Sequence, residues 1–120
     1  MSSKDVDTSV KMYILVNNDL KMGKGKIAGQ VGHSVSSLVR KLEKNPTKNY
    51  IYWLSNGESK IIIKSTEEEM LKLRKKYSDK TVEIRDLGKT QIEPDSLTTI
   101  GFIPLKPDEV PKEILDGKIL

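Results

Sequence analysis

Cysteine is absent from the 120 residues, and histidine occurs once, at His33. Without a thiol there is neither a disulfide framework nor a cysteine nucleophile, and a zinc site would have to rest on one histidine plus carboxylates, which excludes ordinary structural zinc. No GxSxG pattern is present, so a Ser-His-Asp triad built on His33 has no nucleophile elbow. Gly23-Lys24-Gly25-Lys26 lacks both the spacing and the Ser or Thr of GxxxxGK[ST], and nucleotide hydrolysis is not supported. No apolar run approaches the roughly 20 residues that span a bilayer, and MSSKDVDTSV carries no hydrophobic segment of signal-peptide type. The expectation is a cytoplasmic protein with no membrane partner, no metal and no cofactor.

What remains is sufficient for one domain and too short for two. Charged residues make up 32% and apolar ones 36%, a polar composition that still contains periodic apolar segments. The 21 Lys and Arg against 17 Asp and Glu leave a net charge of +4, which permits a polyanionic partner without requiring one. Position is more informative than the total, because Glu67, Glu68 and Glu69 lie together and away from the lysine-rich stretch.

That stretch is Asp19 to Ser37, DLKMGKGKIAGQVGHSVSS. A cationic loop with Lys21, Lys24 and Lys26 runs straight into a helical pattern, so ammonium groups and a helix N-terminus converge where an anion would be attracted. At about 100° per residue, Ile27, Ala28, Val31, Val35, Leu38, Val39 and Leu42 fall in one arc of roughly 120°, the expected buried face. Lys26, Gly29, Gln30, His33 and Ser37 fall on the opposite side. A solvated face is usually full of Lys and Glu. One of Gly, Gln, His and Ser implies that something approaches this helix closely.

Along the chain, residues 1–9 read as a flexible tail and 10–120 as the domain. Lys11 to Val16 is an apolar run bounded by Asn17-Asn18-Asp19, which predicts a strand buried on both faces and delivering the lysine loop at its C-terminal end. The first helix spans about Gly25 to Lys44, ending at Asn45-Pro46, and Thr47 to Asn56 reads as a second, short one. Strands are expected at Lys60–Lys64, Thr81–Ile84 and Leu97–Ile103. A helix from Glu67 to Tyr77 opens on a Ser65-x-x-Glu68 capping box, and a brief helix falls at Lys112 to Leu115. The fold class is α/β: a single compact domain with a mixed four-stranded sheet and helices on both faces.

DLKMGKGKIAGQVGHS resembles the signature of the type 2 peptidyl-tRNA hydrolases, the archaeal and eukaryotic kind, in which a strand leads into an LKMGKGKIAAQ-like loop and helix followed by a histidine. Arg85-Asp86-Leu87-Gly88-Lys89-Thr90-Gln91-Ile92 is similar to that family's RDAGxTQI element, and Thr98-Thr99-Ile100-Gly101 to its closing TVLG strand. The resemblance covers nearly the whole chain from Lys11. It departs from the common pattern at Gly29, Gly32 and Ser34, where relatives often have alanine, and at Asp95, where a glycine commonly follows the proline. Each helix-interior glycine costs about 1 kcal/mol relative to alanine. Either a backbone packs close to Gly29 and Gly32, or this helix is less stable than its relatives' helices.

The resemblance implies an enzyme that cuts the ester joining a peptide to the terminal ribose of tRNA. Asp86 would accept a proton or orient water, and Lys26 would hold Asp86 ionised or face the oxyanion. Thr90, Thr98 and Gln30 are further candidates for the catalytic set, as is His33, for which a structural role is the plainer reading. Lys21, Lys24, Arg85, Lys89 and Gln91 are candidates for contact with tRNA. The bland alternative for Lys26 and Asp86 is an ion pair joining helix to strand, and for the whole chain a non-catalytic module that binds tRNA or protein through the same surface. The resemblance also implies a homodimer, with Tyr50, Tyr52 and Trp53 as candidate contributors to its interface.

Overall fold

The run Met12–Asn17 forms β1, and a strand of continuous apolar character is stable only where both faces are covered. Its position satisfies that. The structure, a computed structural model that describes residues 9–87 and 93–120, places β1 at the centre of a sheet ordered β3-β4-β1-β2-β5. Here β2 is Lys60–Ser65, β3 Thr81–Arg85, β4 Leu97–Phe102 and β5 Lys118–Ile119. β1 pairs in parallel with β2, while β4 runs antiparallel to both β1 and β3. The C-terminal ends of β1, β2 and β3 therefore share one end of the sheet with the start of β4.

Among the described residues the sheet has five strands, one more than the patterning predicts. β5 pairs antiparallel with β2 through Ile63 and Ile119 and through Lys64 and Lys118. A two-residue strand after Gly117 shows no period to read, and its existence depends on the edge of β2 lying within reach. The expected flexible tail falls, apart from Ser9, outside the described residues.

Helices cover both faces: α1 (Lys24–Lys44) and α2 (Lys48–Ser55) on one, α3 (Glu67–Lys76) and α4 (Lys112–Leu115) on the other. Under α1 and α2 the core is Met12, Leu38, Leu42, Tyr50 and Trp53. Under α3 and α4 it includes Leu15, Ile63, Met70, Leu73, Ile100 and Phe102. Tyr50 and Trp53 are each 1% exposed, so neither can form an intersubunit surface. Their amphipathic tips are satisfied internally, the Trp53 indole donating to Ser59 O at 2.8 Å and the Tyr50 hydroxyl to Glu43 at 2.6 Å. The start of α3 is capped one residue later than the expected box, since Thr66 Oγ1, and not Ser65, accepts from Glu69 N at 3.2 Å.

The buried ridge of α1 differs from the apolar arc. Ser34, Leu38 and Leu42 are its buried residues, and Lys26 and Gln30 continue the same i, i+4 row toward the N-terminus, half-buried. Ala28 is exposed, and with Ile27, Val31, Ile62, Leu120 and Lys24 it lines an open apolar groove of about 470 Å³. Among the described residues nothing lies within 4 Å of where a Cβ would stand on Gly29 or Gly32, so none of their backbone packs there. The close approach occurs instead at Gly101 of β4, where a Cβ would overlap Ser34 Oγ and stand 2.8 Å from Leu38 Cδ1. Ser34 Oγ is itself buried without a hydrogen-bond partner among the described residues.

Two outcomes follow from this packing. Gly101→Ala lowers stability by about 1–3 kcal/mol through overpacking, while Ser34→Ala, which removes an unpaired buried hydroxyl, raises it by about 1 kcal/mol in urea unfolding. The Tyr50 hydroxyl, held by Glu43 and by burial, has its pKa pushed up to about 12 from 10.0. The folded state thus keeps a proton that the unfolded chain loses, and stability is full below pH 10 and declines as pH rises toward 12. Tyr50→Phe flattens that decline in a pH series of urea melts.

Candidate active site

At the shared end of the sheet, the loop after β1 makes a 3-10 turn, Asn18–Leu20, and Lys21 closes it at φ 48°. α1 then starts from Gly23, which offers no side chain to cap it, and no acid occupies the first turn. Orphan N–H groups and the positive end of the helix are left unneutralised by that turn. The loop is tied down elsewhere: buried Asn17 donates to Leu97 O at 2.9 Å and Glu67 Oε1 at 3.2 Å, and Asp19 Oδ2 accepts from Glu67 N at 3.0 Å. Asn17 escapes a motif search because it reads as a strand terminator, yet it links three elements.

The pair expected from the two motifs forms. Lys26 Nζ lies 3.0 Å from Asp86 Oδ1, joining α1 to the end of β3 across 60 positions of sequence. The two side chains differ in depth, 19% exposed for Lys26 and 4% for Asp86, so the ammonium lies nearer solvent than the carboxylate. Burial makes the geometry costly to break, because an unpaired carboxylate in this position retains little of its hydration. Asp86 is also fixed through its backbone, its N donating to Ser96 O at 2.9 Å and its O accepting from Asp95 N at 2.7 Å. The turn that supplies those bonds carries Asp95 at φ 66°, the left-handed region where the common glycine of the pattern has no steric cost.

One turn along α1, Gln30 Oε1 lies 2.7 Å from Thr98 Oγ1, which also lies 3.1 Å from Ile84 O. The single hydroxyl proton serves one acceptor; with it on the Ile84 carbonyl and the Gln30 amide turned to donate, both contacts are satisfied. A register shift between Ile84 and Arg85 aims Thr98 here, since Arg85 pairs with Leu97 and Ile84 with Thr99. Bulges of this kind re-aim side chains beside functional sites. Lys26, Gln30, Asp86 and Thr98 are thus brought together by one helix ridge and the adjoining pair β3 and β4.

The remaining expected residues are placed differently. Lys21 and Lys24 are exposed beside the start of α1. His33 is exposed, about 10 Å along the helix from Lys26, and no hydrogen bond among the described residues brings it into the group. Arg85 is engaged: its Nε lies 2.7 Å from Glu83 Oε2 and its NH1 donates to Asp95 O at 2.9 Å. The Glu83 hydrogen bond raises its pKa further; bonded to Asp95 O it braces the turn, and the Glu83 carboxylate beside it offsets part of the charge it would offer a ligand. Lys89, Thr90 and Gln91 lie outside the described residues.

The topology and this group define a small α/β domain with a lysine–carboxylate pair at the carboxyl end of its parallel strands, the usual location of a ligand site in such sheets. The family model described as Peptidyl-tRNA hydrolase PTH2 matches residues 10–116, and the chain belongs to that family. It is similar to proteins named peptidyl-tRNA hydrolase from archaea: 38% identical over 114 residues to that of Methanococcus vannielii, covering 89% of this chain and 96% of the relative. The one from Sulfurisphaera tokodaii is 41% identical over 123 residues, covering 93% and 99%. That of Thermoplasma volcanium is 39% identical over 99 residues, covering 79% and 85%.

A double-mutant cycle on Lys26→Ala and Asp86→Ala, read by chemical unfolding at neutral pH, gives a coupling of about 1–3 kcal/mol. Lys26→Ala alone destabilises more than the double variant, because only the single substitution leaves the buried carboxylate without its ammonium.

Proposed function

We propose that the chain hydrolyses the ester between the peptide and the terminal ribose of peptidyl-tRNA, with Lys26 and Asp86 at the reacting centre. The observation that carries this reading is the 3.0 Å pair, set at an uncapped helix start in a chain of this family. An ester of this kind is already activated, so the requirements are a positioned water, a proton acceptor and charge stabilisation for the tetrahedral oxyanion.

Asp86 orients the water and takes its proton as the oxygen attacks the acyl carbon. Lys26 keeps Asp86 ionised and, being the more exposed partner, faces the oxyanion as it develops. Collapse of the intermediate breaks the acyl–oxygen bond, the proton passes to the ribose oxygen, and peptide acid and free tRNA leave. The Gln30 and Thr98 contact borders the pair, and the hydroxyl of Thr90 and amide of Gln91 belong to the same set on the strength of the family pattern. Lys21, Lys24 and Lys89 contact tRNA phosphates, and Arg85 contributes through the turn it braces. His33 takes no direct part.

The same reading puts the protein in the cytoplasm, where its substrate arises; among the described residues no helix is long and apolar enough to cross a membrane. A homodimer of this chain would use surfaces other than buried Tyr50 and Trp53.

Release of an N-blocked amino acid from its tRNA by the purified protein tests the proposal. Turnover persists in chelator, falls about 10²–10⁴-fold in Asp86→Ala and about 10²–10³-fold in Lys26→Ala, with tRNA affinity largely kept. A folded protein that binds tRNA and turns nothing over would leave a binding module with a structural ion pair.

A further inference from the structure

α1 carries five cations, Lys24, Lys26, Arg40, Lys41 and Lys44, and a single acid, Glu43. That acid is bonded to the Tyr50 hydroxyl on the α2 side. α3 shows what a solvated helix looks like in the same molecule: three glutamates begin it, basic residues end it, and Lys72 stands 3.7 Å from Glu68. α1 has no such alternation.

The spacing 26, 29, 33, 37, 40, 44 keeps Lys26, Gly29, His33, Ser37, Arg40 and Lys44 within an arc of about 80°. All six are exposed or half-buried, and the arc holds no carboxylate. It begins at the lysine of the candidate active site and ends in two exposed cations. Among the described residues Arg40 is bonded locally, to Ser37 Oγ at 3.2 Å, which keeps its guanidinium on this face. Between the two ends, no described residue stands within 4 Å of a Cβ placed on Gly29 or on neighbouring Gly32.

We infer that this face of α1 is the track along which the substrate's RNA leaves the reacting centre, with Arg40 and Lys44 holding the first phosphates of its paired stem. The inference rests on the hydrolase reading above and extends it to a surface that the catalytic group does not include. At 1.5 Å per residue, Arg40 lies about 21 Å and Lys44 about 27 Å along the helix from Lys26. The unpaired 3′ end of a tRNA, about four nucleotides, covers roughly 14 Å when stacked, short of Arg40, so it must lie unstacked and extended along the helix for the first paired phosphates to reach the far end of the track. The side-chain-poor middle leaves room for sugars and bases to lie close to the helix, while the charges at either end hold the backbone.

The test compares two substrates: an N-acetyl-aminoacyl-tRNA of full length, and the same amino acid esterified to a short 3′-terminal oligonucleotide lacking the stem. In the variant Arg40→Ala with Lys44→Ala, kcat/KM on the full-length substrate falls roughly tenfold through KM, and the slope of log affinity against log salt shrinks by about 0.7–0.9 per contact removed. Turnover of the short substrate does not change. Lys72→Ala with Lys75→Ala on α3 removes equal charge and leaves both substrates unaffected. Equal loss on both substrates, no loss on either, or equal loss from the α3 variant overturns the inference, and so does a change of oligomeric state in sedimentation, which would assign the face to a second copy of the chain. Should the double variant fail to fold, Lys44→Ala alone carries the same comparison with half the change in slope. A wild-type protein that hydrolyses neither substrate overturns the hydrolase reading itself, an outcome distinct from wild-type turnover that the variants do not alter.

Discussion

The contact between α1 and β4 at residue 101 is the constraint on which the site depends. Ser34 and Leu38 can settle onto the sheet only where the facing strand has no side chain, and Gly101 supplies that position. Helical geometry does the rest: with Ser34 seated there, Gln30 stands one turn and Lys26 two turns nearer the helix start, over Thr98 and Asp86. A displacement of the helix by even a methyl group's width would be carried along a rigid rod to the reacting pair. The precision of a 3.0 Å contact between residues 60 positions apart is thus set by a glycine in the core.

Much of this was legible in the chain. The apolar run of β1, the proline stop after Lys44 and the Lys112–Leu115 helix each carry a local cause, and each element lies within a residue or two of its expected bounds. The pairing of Lys26 with Asp86 came from two motifs together, since neither alone says which residue the other faces. The buried side of α1 was read incorrectly in its first half for a physical reason. Periodicity sorts side chains by polarity, whereas here Lys26 and Gln30 face inward because each meets a partner, and Ala28 is left exposed on the open groove it shares with Ile62 and Leu120. β5 and the seating of Ser34 on Gly101 have no local signature, being consequences of what lies opposite.

Electrostatics divide the molecule in a way that the small net charge hides. On α3 acids at the start are balanced by bases at the end, and Glu83 is flanked by Arg74 at 3.3 Å and Arg85 at 2.7 Å. On α1 the cations have few such partners, and the helix start lacks the acidic first turn that α3 possesses. Exposed ion pairs add little to stability, so the pairing on α3 is chiefly a means of cancelling field. What survives that cancellation is the excess of cations along α1, which is where a polyanion would be steered.

The place of β1 in the sheet has a consequence for how the protein is made. Of the described strands the central one, β1, comes first in sequence, and both of its partners lie downstream, β2 ending at Ser65 and β4 at Phe102. Until β4 has been synthesised, a six-residue apolar segment has one or both edges unpaired. Pairings so distant in sequence close late and slowly, and unpaired apolar edges recruit other chains in the interval. The nascent protein is therefore most vulnerable to aggregation over the stretch of translation between β1 and β4, and only the emergence of Phe102 brings that period to a close.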